Sequence, residues 1–267
     1  MAEPELTAND LRGLIPQRNA LVILGNQRSG TNLLAKDIGA LGTLGRPGEH
    51  LSRARRSGLD LRGQFEQFAA DGGGPAGDTF AVTLMVNYLE HLGVWVAPTG
   101  PPAKGTPGRS DRLEDVAVRF FLERFEKVTF VTLDREPLWE WAYSHWRLTV
   151  TNQYHLEDGE VRYGSREVGW RDGDPVVPDP AGILEFMHQI QRKRERLERL
   201  LERNAIEPVA LTYREVVDEF PTYLHRITRA AGLPDGDLTG LRRALTKLAP
   251  QHEVDEARQS LRHFLGL

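Results

Sequence analysis

A polar loop that contains glycine lies between an apolar run and a helical pattern near the start of the chain. The run 20–24 is short, continuous and β-branched, which is typical of a strand buried on both faces of a parallel sheet. Residues 25–32 read GNQRSGTN, and leucine and isoleucine then recur at helical spacing over 33–41. A strand that turns through such a loop into a helix directs backbone N–H groups and the positive end of the helix dipole at one point. This arrangement binds phosphate or sulfate.

The loop differs from the P-loop of nucleotide triphosphatases. Gly25 and Gly30 have the separation found in that motif, which requires Lys and then Ser or Thr after the second glycine. This chain has Thr31 and Asn32 at those positions, and its cation, Arg28, lies earlier in the loop. We therefore expect a phosphate-type anion to bind without an obligatory metal.

Strand and helix patterns alternate along the rest of the chain. Residues 80–96 combine a short strand with a helix, further strands are expected at 128–133 and 208–213, and helices at 113–125, 136–151 and 180–204. The alternation predicts an α/β fold with a central, mostly parallel sheet flanked by helices. We expect one domain over 1–267, with an N-terminal extension at 1–19 and loop-rich segments at 97–109 and 156–179.

Composition limits the classes of partner and compartment. The 34 Lys and Arg against 38 Asp and Glu give a net charge of −4, which disfavours nucleic acid as a partner. The cations are 29 Arg and 5 Lys, a bias that we attribute to genomic base composition. The absence of Cys excludes disulfides, thiolate nucleophiles and Cys-ligated metals. Without an export signal or an apolar run long enough to span a bilayer, the chain is expected to be soluble and cytoplasmic, with no transmembrane segment.

Several segments resemble one enzyme family. ILGNQRSGTNLL at 23–34 is similar to the 5′-phosphosulfate-binding loop of sulfotransferases, and ALGTLGRPGEHL at 40–51 resembles the Gly-Arg-Pro-x-Glu segment of their bacterial trehalose sulfotransferase-like (LPS sulfotransferase-like) branch. Further similarity, in the same order, covers 80–92, 131–155 and 181–234. The resemblance implies the P-loop-containing nucleotide hydrolase-like sulfotransferase fold. It also implies 3′-phosphoadenosine-5′-phosphosulfate (PAPS) as donor, 3′-phosphoadenosine-5′-phosphate (PAP) as product and no required metal.

The resemblance assigns binding roles to two groups of residues. The 3′-phosphate of the donor would be held by Arg135, after the second core strand, and by Ser144, early in the next helix. The phosphosulfate end would be held by the first loop, at Gln27, Arg28, Ser29, Gly30, Thr31 and Asn32. Four tryptophans could stack on adenine or on a sugar, but they are placed in the core: Trp139, Trp141, Trp146 and Trp170.

The Gly-Arg-Pro-x-Glu match makes Glu49 the general base of an in-line displacement, while Arg28 stabilises the charge. His50 is the competing base, and His155 is a further polar candidate. The alternative for Glu49 is an ion pair with a neighbouring arginine. These arginines are Arg46, Arg53, Arg55 and Arg56.

The sequence thus favours a sulfotransferase that acts on a hydroxyl of a carbohydrate, a glycolipid or a natural product. Thr83 stands where relatives commonly have Lys, so trehalose itself is not assigned as acceptor. A homodimer is compatible with the resemblance. Two alternatives stay open: a P-loop small-molecule kinase, suggested by VTFVTLD at 128–134, and a non-catalytic nucleotide-binding protein of the same fold.

Overall fold

The computed structural model describes residues 13–73, 78–97, 100–157, 160–164, 167–233, 238–243, 245–246 and 249–267, without the side chains of 155–157 and 245–246. The part of the predicted N-terminal extension before residue 13 lies outside these ranges. Four strands form the central sheet: β1 (Asn19–Gly25), β2 (Thr79–Met85), β3 (Lys127–Asp134) and β6 (Val209–Thr212). They are mutually parallel and lie in the order β2-β1-β3-β6.

Helices cover both faces of this sheet. They are α1 (Thr31–Leu41), α2 (His50–Arg55), α3 (Leu61–Gly72), α4 (Val86–Val96), α5 (Arg109–Arg124), α6 (Leu138–Thr151), α7 (Pro180–Arg203), α8 (Tyr213–Asp218), α9 (Leu224–Ala230) and α10 (Gln251–Phe264). Side chains alternate between the two faces of a strand. Leu21 and Ile23 of β1 therefore pack with α1, α8 and α9, whereas Val22 and Leu24 pack with α2, α3, α4, α5 and α7. The prediction of an α/β protein with a central parallel sheet is confirmed.

The strand order creates a crevice beside β1. The chain passes from β1 to β2 on one side and then crosses to β3 on the other, so the connections leave the carboxyl ends of β1 and β3 in opposite directions. Open α/β sheets bind ligands at such a switch point. Gly25 at the end of β1 pairs in register with Leu133, two residues before Arg135. The two segments predicted to bind anions therefore meet at one edge of the sheet.

A second, antiparallel sheet follows α6. It consists of β4 (Gln153–Glu157), β5 (Glu160–Tyr163) and β7 (Leu245–Thr246), in the order β5-β4-β7. The loop-rich segment predicted over 156–179 thus needs a correction at its start, because it contains most of this hairpin. The polar composition concealed the two strands, although they flank an Asp-Gly dipeptide, which is favoured in two-residue hairpin connections.

A third apolar cluster joins α6, α7 and α10 beside the central sheet. Trp141 and Ile183 are fully buried in it. None of the helices in the described ranges combines the length and apolar character that crossing a membrane requires.

Candidate functional site

The loop between β1 and α1 is curled so that it can surround an anion. Arg28 has a φ of 65° and Gly30 a φ of 104°, and left-handed residues at alternate positions turn successive N–H groups toward a common concavity. A side chain at Gly30 would clash, because a Cβ atom there would lie 2.6 Å from the ring of Tyr213. The helix starts at Thr31, and the first N–H groups of a helix have no acceptor within it. Gly30, Thr31 and Asn32 therefore present N–H groups to the concavity.

Two hydrogen bonds fix the shape of this loop. The hydroxyl of Ser29 donates to the carbonyl oxygen of Asn26 at 2.8 Å, and Nε1 of Trp141 donates to the carbonyl oxygen of Gln27 at the same distance. The side chain of Ser29 and the carbonyl of Gln27 are thus used inside the protein. Trp141 is buried, as predicted, but it also holds the loop from α6.

Arg28 connects the loop to the second predicted anion site. Its Nε donates to the hydroxyl oxygen of Ser144 at 3.3 Å, and its Nη1 donates to the carbonyl oxygen of Tyr154 at 2.6 Å. In turn, Nη1 of Arg135 donates to the carbonyl oxygen of Arg28 at 3.2 Å. The structure therefore brings Arg28 together with Arg135 and Ser144, both of which lie more than 100 residues after it in the sequence.

The two arginines form no ion pair with any residue that the structure describes. Arg135 is only 8% exposed, and its Nε has no hydrogen-bond partner among those residues. Burial lowers the pKa of Arg135; burial and then the charge of Arg135 lower the pKa of Arg28 to about 10. Both side chains are still cationic at neutral pH. The edge of the sheet thus holds two partly desolvated positive charges that an anionic ligand would compensate.

Tyr213 belongs to the site, although it was not among the residues predicted to form it. The guanidinium carbon of Arg135 lies 4.5 Å from the centroid of the Tyr213 ring, a cation–π contact. The same ring packs on Gly30. Tyr213 is the first residue of α8, directly after β6. Its position at the carboxyl end of a parallel strand is the signal that could have identified it.

A glycine-rich turn brings Glu49 to the same edge of the sheet. The carbonyl oxygen of Gly48 accepts a hydrogen bond from the N–H of Thr83 at 2.9 Å, so this segment runs along the outer side of β2. Gly45 has a φ of 76°, and a Cβ atom there would lie 2.6 Å from the carbonyl oxygen of Thr79. This close approach places Glu49 beside the end of β2, where it precedes α2.

The carboxylate of Glu49 has no partner among the described residues. It is half-buried, and it makes no hydrogen bond or ion pair there, while Arg53 instead donates to Asp71 at 3.0 Å. The predicted alternative, in which a neighbouring arginine pairs with Glu49, is thus not formed with any of the four arginines. Burial raises the pKa of Glu49, and the more distant charge of Arg56 opposes this shift only in part. A half-buried carboxyl with a raised pKa is suited to accept a proton.

The ring nitrogens of His50 are directed at other groups, which does not suit His50 to the role of general base. Its ring is buried, and Nε2 donates to the carbonyl oxygen of Arg46 at 2.6 Å, while Nδ1 lies 3.8 Å from the carboxylate of Asp71. Burial lowers the pKa of His50. The ring thus stabilises the turn that carries Glu49. His155 lies in β4, and its side chain is outside the described part of the structure.

Comparison with known proteins adds no further information. A scan against protein-family models finds no match to the chain, and a search of curated proteins finds none. The chemistry of the site has to be inferred from its own residues.

Replacing Gly45 by Ala should destabilise the protein by about 1–3 kcal/mol, because the new Cβ atom collides with the backbone of β2. The matched control is Gly39→Ala in α1, where nothing lies within 4 Å of the added atom, and which should stabilise by about 0.5–1 kcal/mol. Urea unfolding measures both. Equal stabilities of the two variants would contradict the close contact of Gly45 with β2.

Pyrophosphate should raise the melting temperature of the wild type but not that of Arg28→Met, because Arg28 supplies uncompensated charge to the loop. Arg194→Met is the matched control, since Arg194 donates to Asp134 at 2.7 Å and is a paired cation. That variant should be less stable than Arg28→Met without pyrophosphate and should keep the response to it. A full pyrophosphate response in Arg28→Met, measured by thermal unfolding, would refute the loop as the anion site.

Proposed function

We propose that the protein is a sulfotransferase that transfers a sulfuryl group from PAPS to an acceptor hydroxyl. The observation that carries this proposal is the pair Arg28 and Arg135, two partly desolvated cations without an ion-pair partner among the described residues. They flank the switch point between β1 and β3. A nucleotide with an anionic group at each end compensates both charges at once, and PAPS is such a nucleotide.

The residues present fit this donor. The N–H groups of Gly30, Thr31 and Asn32 and the guanidinium of Arg28 would hold the phosphosulfate end. Arg135 would hold the 3′-phosphate through Nε, which has no partner among the described residues. The hydroxyl of Ser144 accepts its hydrogen bond from Arg28, so its own hydrogen can be donated to the same phosphate.

Charge stabilisation in the transfer comes from the loop. The donor supplies the sulfuryl group, whose bond to the 5′-phosphate oxygen breaks as the bond to the acceptor oxygen forms. Negative charge then grows on the leaving phosphate, and donors fixed beforehand by the fold stabilise it without reorganisation. Arg28 stays charged at neutral pH, so it neutralises this phosphate without transferring a proton to it.

Glu49 is the proposed general base. Its carboxylate takes the proton that the acceptor hydroxyl loses as its oxygen binds sulfur. The raised pKa brings its basicity closer to what proton abstraction at neutral pH requires. The ring of His50 is hydrogen-bonded to the carbonyl oxygen of Arg46 and so holds the turn that carries Glu49. We therefore assign His50 a role in positioning Glu49.

The kinase alternative is weaker. Besides the missing loop lysine, the carboxylate of Asp134 at the end of β3 is bound by Arg194, with Nε donating to Oδ1 at 2.7 Å. An Mg²⁺ ligand at this position would have to break that ion pair. The non-catalytic alternative gives no reason to keep Glu49, since burial disfavours its charged form and the charge of Arg56 opposes this only in part.

The acceptor is proposed only as a class: a carbohydrate, a glycolipid or a natural product with a hydroxyl. Thr83 is buried beside Gly48, and its hydroxyl has no partner among the described residues, so no cation is supplied there. A cytoplasmic location and a homodimer stay predictions.

Calorimetric titration with PAP, and separately with ATP plus Mg²⁺, tests the proposed donor. PAP should bind at least tenfold more tightly, because only PAP has a phosphate for Arg135 and Ser144. Arg135→Ala should remove most of this preference. Tighter binding of ATP with Mg²⁺ would overturn the sulfotransferase and favour the kinase.

Glu49→Gln should reduce transfer by about 10²- to 10⁴-fold while leaving PAP affinity nearly unchanged, because the amide cannot accept the proton. The measurement is transfer of labelled sulfate from PAPS to a panel of saccharides, glycolipids and phenols. In the wild type, activity should fall as pH decreases through the raised pKa of Glu49, because protonation removes the base. A variant as active as the wild type would refute Glu49 as the base.

A further inference from the structure

One lysine of α7 lies on the buried side of that helix. Ile183, Ile190 and Leu197 are buried and recur every seven residues, so they mark the face of α7 that packs inward. Lys193 comes three residues after Ile190 and four before Leu197, which places it on the same face. It is half-buried, and burial lowers its pKa.

Lys193 differs from the arginines on either side of it. Arg192 is largely exposed and lies 3.7 Å from the carboxylate of Glu185, and Arg194 is paired with Asp134. Among the residues that the structure describes, Lys193 has no acidic group within ion-pair distance. The helix thus carries one uncompensated cation between two paired ones.

Contacts of α7 place this cation near the second anion site. Arg194 donates to the carbonyl oxygen of Arg135 at 3.5 Å and lies 5.4 Å from the centroid of the Trp141 ring. On the α6 side, the His145 ring packs on Phe186 with a centroid distance of 4.5 Å. Lys193 directly precedes Arg194 and comes seven residues, or two turns, after Phe186, so it lies on the face of α7 that contacts His145.

His145 supplies a second, independent observation. It follows Ser144 in α6 and is 8% exposed, and its Nδ1 has no hydrogen-bond partner in the described part of the chain. Burial lowers its pKa to about 4, and the charges of Lys193 and Arg28 act in the same direction. A buried polar group without a partner, in a cluster of uncompensated cations, is suited to bind an anion.

We propose that Lys193 and His145 complete the pocket for the 3′-phosphate, in addition to Arg135 and Ser144. The inference rests on the proposed function and deepens it. A phosphate monoester carries between one and two negative charges at neutral pH, more than Arg135 alone compensates. The ammonium of Lys193 supplies the second positive charge, and Nδ1–H of His145 donates a further hydrogen bond. The pocket thereby selects nucleotides with a 3′-phosphate over those with a 5′-phosphate alone.

Calorimetric titration with PAP and with AMP isolates this pocket, because the two nucleotides differ only in the 3′-phosphate. Lys193→Met should weaken PAP binding by about 10- to 100-fold and leave AMP binding unchanged. Arg192→Gln is the matched control, and it should change neither affinity, since it removes an exposed cation one residue away. Lys193→Arg should keep most of the preference for PAP.

Three outcomes distinguish the two proposals. A wild type that binds PAP no better than AMP overturns the proposed function itself. A wild type that prefers PAP, with an unchanged preference in Lys193→Met, overturns only the role of Lys193. If Lys193→Met fails to fold, histidine NMR signals of the wild type test the pocket instead. PAP, but not AMP, should shift the ring resonances of His145. Equal shifts with both nucleotides would overturn the pocket.

Discussion

Uncompensated positive charge at the edge between β1 and β3 is the feature on which the rest of the structure depends. Burial disfavours charged Arg28 and Arg135, as their lowered pKa values indicate. No carboxylate within the described residues forms an ion pair with either, and the charge of Glu140 opposes the shift at Arg135 only in part. A protein keeps buried charges when they are compensated by a partner, and we propose that the partner here is a ligand. The proposed donor has an anion for each of these cations, and the order of the strands places both at the switch point between β1 and β3.

The surrounding ion pairs keep the charge uncompensated. Asp134 and Glu136, which flank Arg135 in sequence, are both bound by Arg194. In the same way, Arg147 of α6 binds Glu253 of α10. These three carboxylates are thus occupied. Glu140, whose charge raises the pKa of Arg135, does not lie within ion-pair distance of it. The only half-buried carboxylate argued to act in the reaction, Glu49, lies on the opposite side of β1, beside β2.

The loop and the central sheet could be predicted because their signals are local. The apolar run of β1, the loop and α1 are contiguous in sequence, and Arg135 follows directly after an apolar strand.

Trp141, Tyr213 and Lys193 could not be placed in the same way. Trp141 reaches Gln27 across 114 residues, and Lys193 acts on His145 only because α7 packs on α6. Such contacts depend on how helices pack, which one sequence pattern does not determine. The hairpin of β4 and β5 was missed because its strands are polar.

A crystal structure of the protein with PAP tests the central claim most directly. The account predicts that the 5′-phosphate lies on the N–H groups of residues 30–32 beside Arg28. It also predicts that the 3′-phosphate contacts Arg135 and Ser144, and that Glu49 faces the open side of the 5′ end. PAP bound elsewhere, or bound with its 3′-phosphate in solvent, would contradict the claim that these cations serve a nucleotide with anions at both ends.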